Sequence, residues 1–184
     1  MYRHEYHLTP PSGWMNDPNG FCHFGGRYHL FYQHYPKAPR WGRMRWGHAV
    51  SDDLVRWERL PIALKPDGFW DCALGCFSGS AVVQDDGMRL FYTGVSPLGQ
   101  YQMAARSADG VRFRKDPRPV IGHGDLPPGG SALAFRDPKV FELDGAFYCL
   151  VGGSLREPAG ERPGRAGDDS LADPGRGPAR YRSR

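Results

Sequence analysis

Three times the chain repeats one pattern: an alternating aromatic run, a tight turn closed by glycine, and a second aromatic run. Phe21-Cys22-His23-Phe24 passes through Gly25-Gly26 into Arg27-Tyr28-His29-Leu30-Phe31-Tyr32-Gln33. Residues 80–84 pass through Asp85-Asp86-Gly87 into residues 88–93, and residues 139–142 through Leu143-Asp144-Gly145 into residues 146–151. Alternation of period two, bounded by Asp and Gly, is the signature of a β-hairpin. A lesser hairpin is expected around Ala108-Asp109-Gly110. No stretch sustains a helical period, so the chain reads as all-β.

The repeat has a length. Phe31-Tyr32, Phe91-Tyr92 and Phe147-Tyr148 follow one another at separations of 60 and 56 residues. A unit of that size with about four short strands suits a propeller blade with generous loops, whereas a β-sandwich has no reason to repeat the pair at near-constant spacing. Polar motifs fall on the same repeat. Asp17 precedes Gly26 by nine residues, Ser78 precedes Gly87 by nine, and Asp137 precedes Gly145 by eight. Equivalent positions of successive blades converge on the central axis, so Asp17, Ser78 and Asp137 are expected to face one pocket.

The first of these motifs is Trp14-Met15-Asn16-Asp17-Pro18-Asn19-Gly20. Pro18 pushes Asp17 toward an extended conformation, and Asn19-Gly20 predicts a turn just after the carboxylate. Two carboxylates across a pocket suit glycosidic bond cleavage, in which one attacks or stabilises the anomeric carbon while an acid protonates the leaving oxygen. Asn16, Gln33, Ser78 and Arg136 offer hydrogen bonds to sugar hydroxyls, and tryptophans concentrated in the first 70 residues offer apolar faces. Each has a plainer reading beside it. Gln33 also fits a solvated edge position, Arg136 and Asp137 a surface ion pair, Trp46 and Trp57 blade core, and His48 a structural hydrogen-bonding role.

Charge and cysteine narrow the partners. With 24 basic and 20 acidic residues and no basic stripe, nucleic acid is not an expected partner. No apolar run approaches a membrane span and the N-terminus lacks a signal-peptide core, so a cytoplasmic location is expected. Cys22, Cys72, Cys76 and Cys149 contain no Cys-x-x-Cys pair, so free thiols are expected, with no metal and no cofactor.

Trp14-Met15-Asn16-Asp17-Pro18-Asn19-Gly20, Trp46-Gly47-His48-Ala49, Phe77-Ser78-Gly79-Ser80 and Phe135-Arg136-Asp137-Pro138-Lys139 closely resemble family 32 of the glycoside hydrolases, across roughly residues 4 to 153. The resemblance implies a five-bladed propeller, of which this chain holds the first two to three blades. It also implies release of β-linked fructose, from sucrose or sucrose 6-phosphate, with retention of configuration and no metal. By position, Asp17 matches the nucleophile and Asp137 the carboxylate that stabilises the transition state. Trp14, Asn16, Gln33, Trp41, Phe77, Ser78 and Arg136 match substrate-contacting positions. A non-catalytic fructoside-binding protein and a related five-bladed glycosidase acting on arabinose polymers stay open.

The resemblance also stops short. The family's proton donor is a Glu followed by Cys, and none of Glu5, Glu58, Glu142, Glu157 and Glu161 is followed by Cys. Residues 154–184 hold seven Arg, five Gly and four Pro with one aromatic, Tyr181, a composition expected to be disordered. The abrupt change after Gly153 fits a change of reading frame, with a natural flexible extension as the other reading; the nucleotide sequence beyond Gly153 separates them. Two and a half blades without closure are expected to be poorly soluble or partly molten.

Overall fold

The computed structural model describes residues 7–155; the predicted tail, apart from Ser154 and Leu155, lies outside them. Among the described residues, ten strands form three antiparallel sheets. The first blade is β1 (Trp14–Phe24), β2 (Arg27–Tyr35), β3 (Arg45–Ser51) and β4 (Glu58–Leu64), paired in that order. The second repeats the order with β5 (Gly75–Gln84), β6 (Gly87–Ser96), β7 (Gly99–Ser107) and β8 (Arg114–Lys115). β9 (Gly130–Leu143) and β10 (Ala146–Leu155) form a third, two-stranded sheet. β10 runs two residues past the compositional change at Gly153.

The expected hairpins form, and two of them carry the turn chemistry expected of them. Gly25 and Gly26, at φ 58° and 80°, and Asp144 and Gly145, at 52° and 72°, take the double positive φ of two-residue hairpins whose twist matches the strands. The lesser hairpin joins β7 to the short β8, its turn organised by Asp109 Oδ1, which accepts from the amides of Val111 and Arg112. The turn expected at Asn19-Gly20 is not one. Gly20 has φ 52°, but it sits in a register shift between Asn19 and Cys22 within β1, and the chain reverses only at Gly25-Gly26.

The aromatic repeat needs a second correction. Tyr32 faces Pro18 and Tyr92 faces Gly79, one residue after Asp17 and Ser78, so these tyrosines are equivalent. In the third sheet Tyr148 faces Phe141, close to the turn, while Leu150 faces Lys139 and Gly152 faces Arg136. Phe147-Tyr148 is therefore displaced toward the turn, and Leu150 stands where Phe31 and Phe91 stand in the other sheets. The polar motifs, not the Phe-Tyr pairs, carry the structural register.

The first strands lie side by side: β1 packs on β5 and β5 on β9. Between the two complete blades lies a core of Phe31, Trp46, Leu64, Leu90, Tyr92 and Met103, all nearly or fully buried. Trp46 is core, as its plainer reading held, and its Nε1 donates to the carbonyl of Phe77 at 2.9 Å. A buried acid in the connection between the blades ties that connection to the second blade. Asp71 Oδ2 accepts from Tyr92 Oη at 3.1 Å, Lys115 Nζ at 2.5 Å and Cys76 Sγ at 3.6 Å. An ion pair this buried keeps its place only with its remaining lone pairs engaged, which these donors and the amide of Gly68 accomplish.

His48 is structural. Its ring stacks on Phe31 at 4.1 Å and shares a 3.0 Å contact with His29 Nδ1, and burial pushes its pKa down to about 3. A buried neutral His contributes stability that is full above its unfolded pKa of about 6.5 and lost as pH falls below it. The unfolding free energy should therefore drop by up to about 1.4 kcal/mol per pH unit between about pH 6.5 and 4.5, above the carboxylate range. His48→Gln should flatten that limb in urea titrations; an unchanged limb would place the protonation elsewhere.

Candidate active site

The site is built by three irregularities at one level of three strands. In β1, Met15 faces His34 and Pro18 faces Tyr32, so Asn16 and Asp17 together oppose Gln33. In β5, Phe77 faces Thr93 and Gly79 faces Tyr92, leaving Ser78 as the extra residue. In β9, Arg136 faces Gly152 and Lys139 faces Leu150, so Asp137 and Pro138 oppose Val151. A β-bulge bends its strand and re-aims one side chain out of the pleat. Here each bulge falls on one of the three polar residues that the spacing aligned.

The structure brings these residues together. Ser78 Oγ donates to Asp17 Oδ2 at 2.8 Å, across 61 residues of chain. That bond, with help from the Asn16 side chain and against some desolvation, holds Asp17 below the usual carboxylate range. Asp137 moves the other way. Partial burial raises its pKa, the Arg136 guanidinium opposes the rise, and the negative charge of Asp17 adds to it. Two carboxylates from sheets 120 residues apart in the chain thus share one electrostatic environment. Environment separates them into a readily ionised group and a more basic one.

The expected substrate contacts divide into two kinds. Asn16, Ser78 and Arg136 stand beside the carboxylates, with Arg136 Nε 3.7 Å from Asp137 Oδ2 on an exposed face. Trp41 is 47% exposed and meets Phe77 edge to face at 6.0 Å, forming an aromatic wall next to Ser78. Trp14 orients its neighbour, its Nε1 donating to Asn16 Oδ1 at 2.7 Å. Gln33 is neither a solvated edge residue nor an open one. It is 2% exposed and its Nε2 donates to the carbonyl of Cys76 at 3.0 Å, two residues before Ser78.

Several residues that hold the site escaped the sequence reading. Asn19 Oδ1 accepts from the amide of Gly79 at 3.4 Å. Ser80 Oγ donates to the carbonyl of Pro138 at 2.8 Å and accepts from the amide of Val140 at 2.9 Å. Asn19 and Ser80 each lie two residues after the bulged polar residue, and each bonds the strand of the next sheet. The signal was available, since both are polar residues at one offset of the repeat. Of the glutamates among the described residues, Glu58 pairs with Arg27 at 3.0 Å and Glu142 is exposed beside the β9–β10 turn. Neither stands beside Asp17 or Asp137.

A profile of the glycosyl hydrolases family 32 N-terminal domain matches residues 7–161. The sucrose-6-phosphate hydrolase of Escherichia coli is 44% identical over 161 residues, covering 83% of this chain and 32% of that protein. Its counterpart from Zymomonas mobilis is 43% identical over 162 residues, covering 80% and 29%. Among solved structures, the β-fructofuranosidase of Bombyx mori, a point mutant in complex with sucrose, superposes with TM-score 0.75 at 44% identity, covering 83% of this chain and 32% of that one. The sucrose-6-phosphate hydrolase of Lactobacillus gasseri gives 0.77 at 39% identity, covering 84% and 32%. The chain thus spans about a third of the length of the relatives it matches.

The opposed shifts of the two carboxylates have a measurable consequence. A carboxyl group raised above its unfolded value lowers stability once ionised, so Asp137 weakens the fold as pH rises through its titration. Asp137→Asn should raise the urea midpoint at pH 7, and asparagine also tolerates the positive φ found there. The gain should fade below the usual Asp value of about 3.9, where Asp137 is neutral in either state. A lower midpoint at pH 7 would contradict the shared environment.

Proposed function

The chain belongs to family 32 of the glycosyl hydrolases, and we propose that it carries the nucleophile side of a site that cleaves β-fructofuranosidic bonds with retention of configuration. The substrate class is sucrose or sucrose 6-phosphate. In this reading a carboxylate oxygen of Asp17 bonds to the anomeric carbon of fructose as the bond to the leaving oxygen breaks. The leaving oxygen takes its electron pair and a proton from an acid. Water then attacks the anomeric carbon, giving a proton to the conjugate base of that acid, and the bond to Asp17 breaks to restore its carboxylate. Ser78 keeps Asp17 ionised by donating to it, and the more basic Asp137 accepts from fructose hydroxyls while its charge opposes the developing positive charge on the ring. Trp41 and Phe77 give the sugar an apolar wall.

The observation that carries this reading is the placement of Asp17, Ser78 and Asp137 on bulges at one level of three adjacent first strands, with Ser78 Oγ donating to Asp17 Oδ2 at 2.8 Å and both carboxylates exposed. No glutamate among the described residues stands where a proton donor would have to be. Glu58 and Glu142 are placed away from the carboxylates, and no Glu precedes a Cys. Absence of general acid assistance costs on the order of 10²–10⁴ in rate, so the 184-residue chain by itself should leave sucrose almost untouched. A second reading is a fructoside-binding protein without turnover, since the same exposed polar groups can hold a sugar without cleaving it.

A substrate that needs no proton on its leaving group separates the two. β-Fructofuranosyl fluoride should release fluoride with this chain, Asp17→Asn should abolish the release, and sucrose should react about 10²–10⁴ times more slowly than the fluoride. Saturable fructose binding with no fluoride release would select the binding protein. Neither binding nor release would remove both readings.

A further inference from the structure

Asp137 has φ 63°, a left-handed backbone that residues other than glycine seldom take, and it precedes Pro138, which ordinarily drives the preceding residue to extended conformations. Such a conformation persists only where its surroundings over-determine it. The surroundings here are a buried polar relay from the second sheet. Thr93, in β6 and fully buried, accepts the Asp137 amide on its Oγ1 at 3.0 Å and donates from the same oxygen to Gln102 Oε1 at 2.8 Å. Gln102, in β7 and equally buried, donates from Nε2 to the carbonyl of Phe135 at 2.7 Å. Gln100 Oε1 accepts the amide of Phe135 at 2.8 Å. The backbone on the N-terminal side of Asp137 is thus clamped at three points by side chains of one neighbouring sheet.

The repeat strengthens the assignment. Gln33 in β2 and Thr93 in β6 occupy the same register position, each following the tyrosine that faces the residue after the bulge. Both reach into the next sheet beside its polar motif, Gln33 to Cys76 and Thr93 to Asp137. We propose that Thr93, backed by Gln102, is the positioning residue of Asp137: its hydroxyl captures the Asp137 amide and holds the left-handed backbone that sets the carboxylate beside Asp17. The functional meaning of this rests on the reading of Asp137 as a sugar-facing carboxylate; the geometric claim does not.

The test is NMR on the isotopically labelled 184-residue chain. The coupling between the amide and α protons of Asp137 should report a left-handed φ, and its amide should exchange slowly. Thr93→Val removes the hydroxyl at nearly constant volume; it should speed exchange by about tenfold and move the coupling to the extended value. Thr93→Ser should keep both readings. A valine variant that fails to fold while the serine variant retains both gives the same answer. An extended coupling or an unprotected Asp137 amide in the unmutated chain overturns the proposal. So does a valine variant that leaves both readings in place, or a serine variant that loses them, which would put the role in the methyl group. Added fructose tests the sugar reading separately. If it shifts neither Asp17 nor Asp137 while the Asp137 readings stand, that reading falls and the positioning role remains.

Discussion

One extra residue in each of three first strands is the constraint on which the site depends. A regular ladder would alternate its side chains across the pleat and leave Asp17, Ser78 and Asp137 to face wherever parity sent them. The insertions at Asn16-Asp17, at Ser78 and at Asp137-Pro138 break that parity at the same level of each sheet. Bulges weaken local pairing, so something must replace the ladder bonds they forfeit. The neighbouring sheet does so, through Gln33 to Cys76, Asn19 to Gly79, Ser80 to Pro138 and Val140, and Thr93 to Asp137. The second and third sheets are thereby each braced by polar side chains of the one before.

Burial makes those braces effective. Gln33, Ser80, Thr93 and Gln102 are each under 5% exposed, so water does not compete for their partners and any broken bond leaves an unpaired group behind. Beneath them Asp71 collects Tyr92, Cys76 and Lys115, anchoring β6 one residue before Thr93 and β5 two residues before Ser78. The site itself is the opposite kind of environment. Asp17, Arg136 and Asp137 are exposed, and their electrostatics come from near neighbours. A stiff, dry support under a wet, charged face lets two carboxylates of like charge be held near each other without the strand ends drifting apart.

Legibility followed chemistry. Hairpins announced themselves because Gly25-Gly26 and Asp144-Gly145 are among the few pairs that accept two positive φ values, and the structure uses them so. Asn19-Gly20 carried the same signal and meant something else, a kink inside β1, because a local preference for positive φ does not say whether the chain reverses or bulges. The third Phe-Tyr pair misled for a similar reason. Aromatic residues suit several positions of a pleated, half-buried surface, and Phe147-Tyr148 shares its composition, not its register, with Phe31-Tyr32 and Phe91-Tyr92. Gln33 was legible as important and illegible as buried, since a strand-end amide looks the same whether it faces solvent or the next sheet.

The sequence alone determined an all-β chain built from a repeated hairpin, its membership in a family of fructoside-cleaving hydrolases, and the alignment of Asp17, Ser78 and Asp137, because turn chemistry, alternation and motif spacing are properties of neighbours along the chain. Tertiary structure alone decided that bulges aim those residues, that Ser78 bonds Asp17, that one carboxyl is lowered while the other is raised, and that Thr93 and Gln33 brace them. The repeat spacing places residues at one level, but bulges, inter-sheet hydrogen bonds and desolvation depend on which strands become neighbours in space and on how closely their atoms approach.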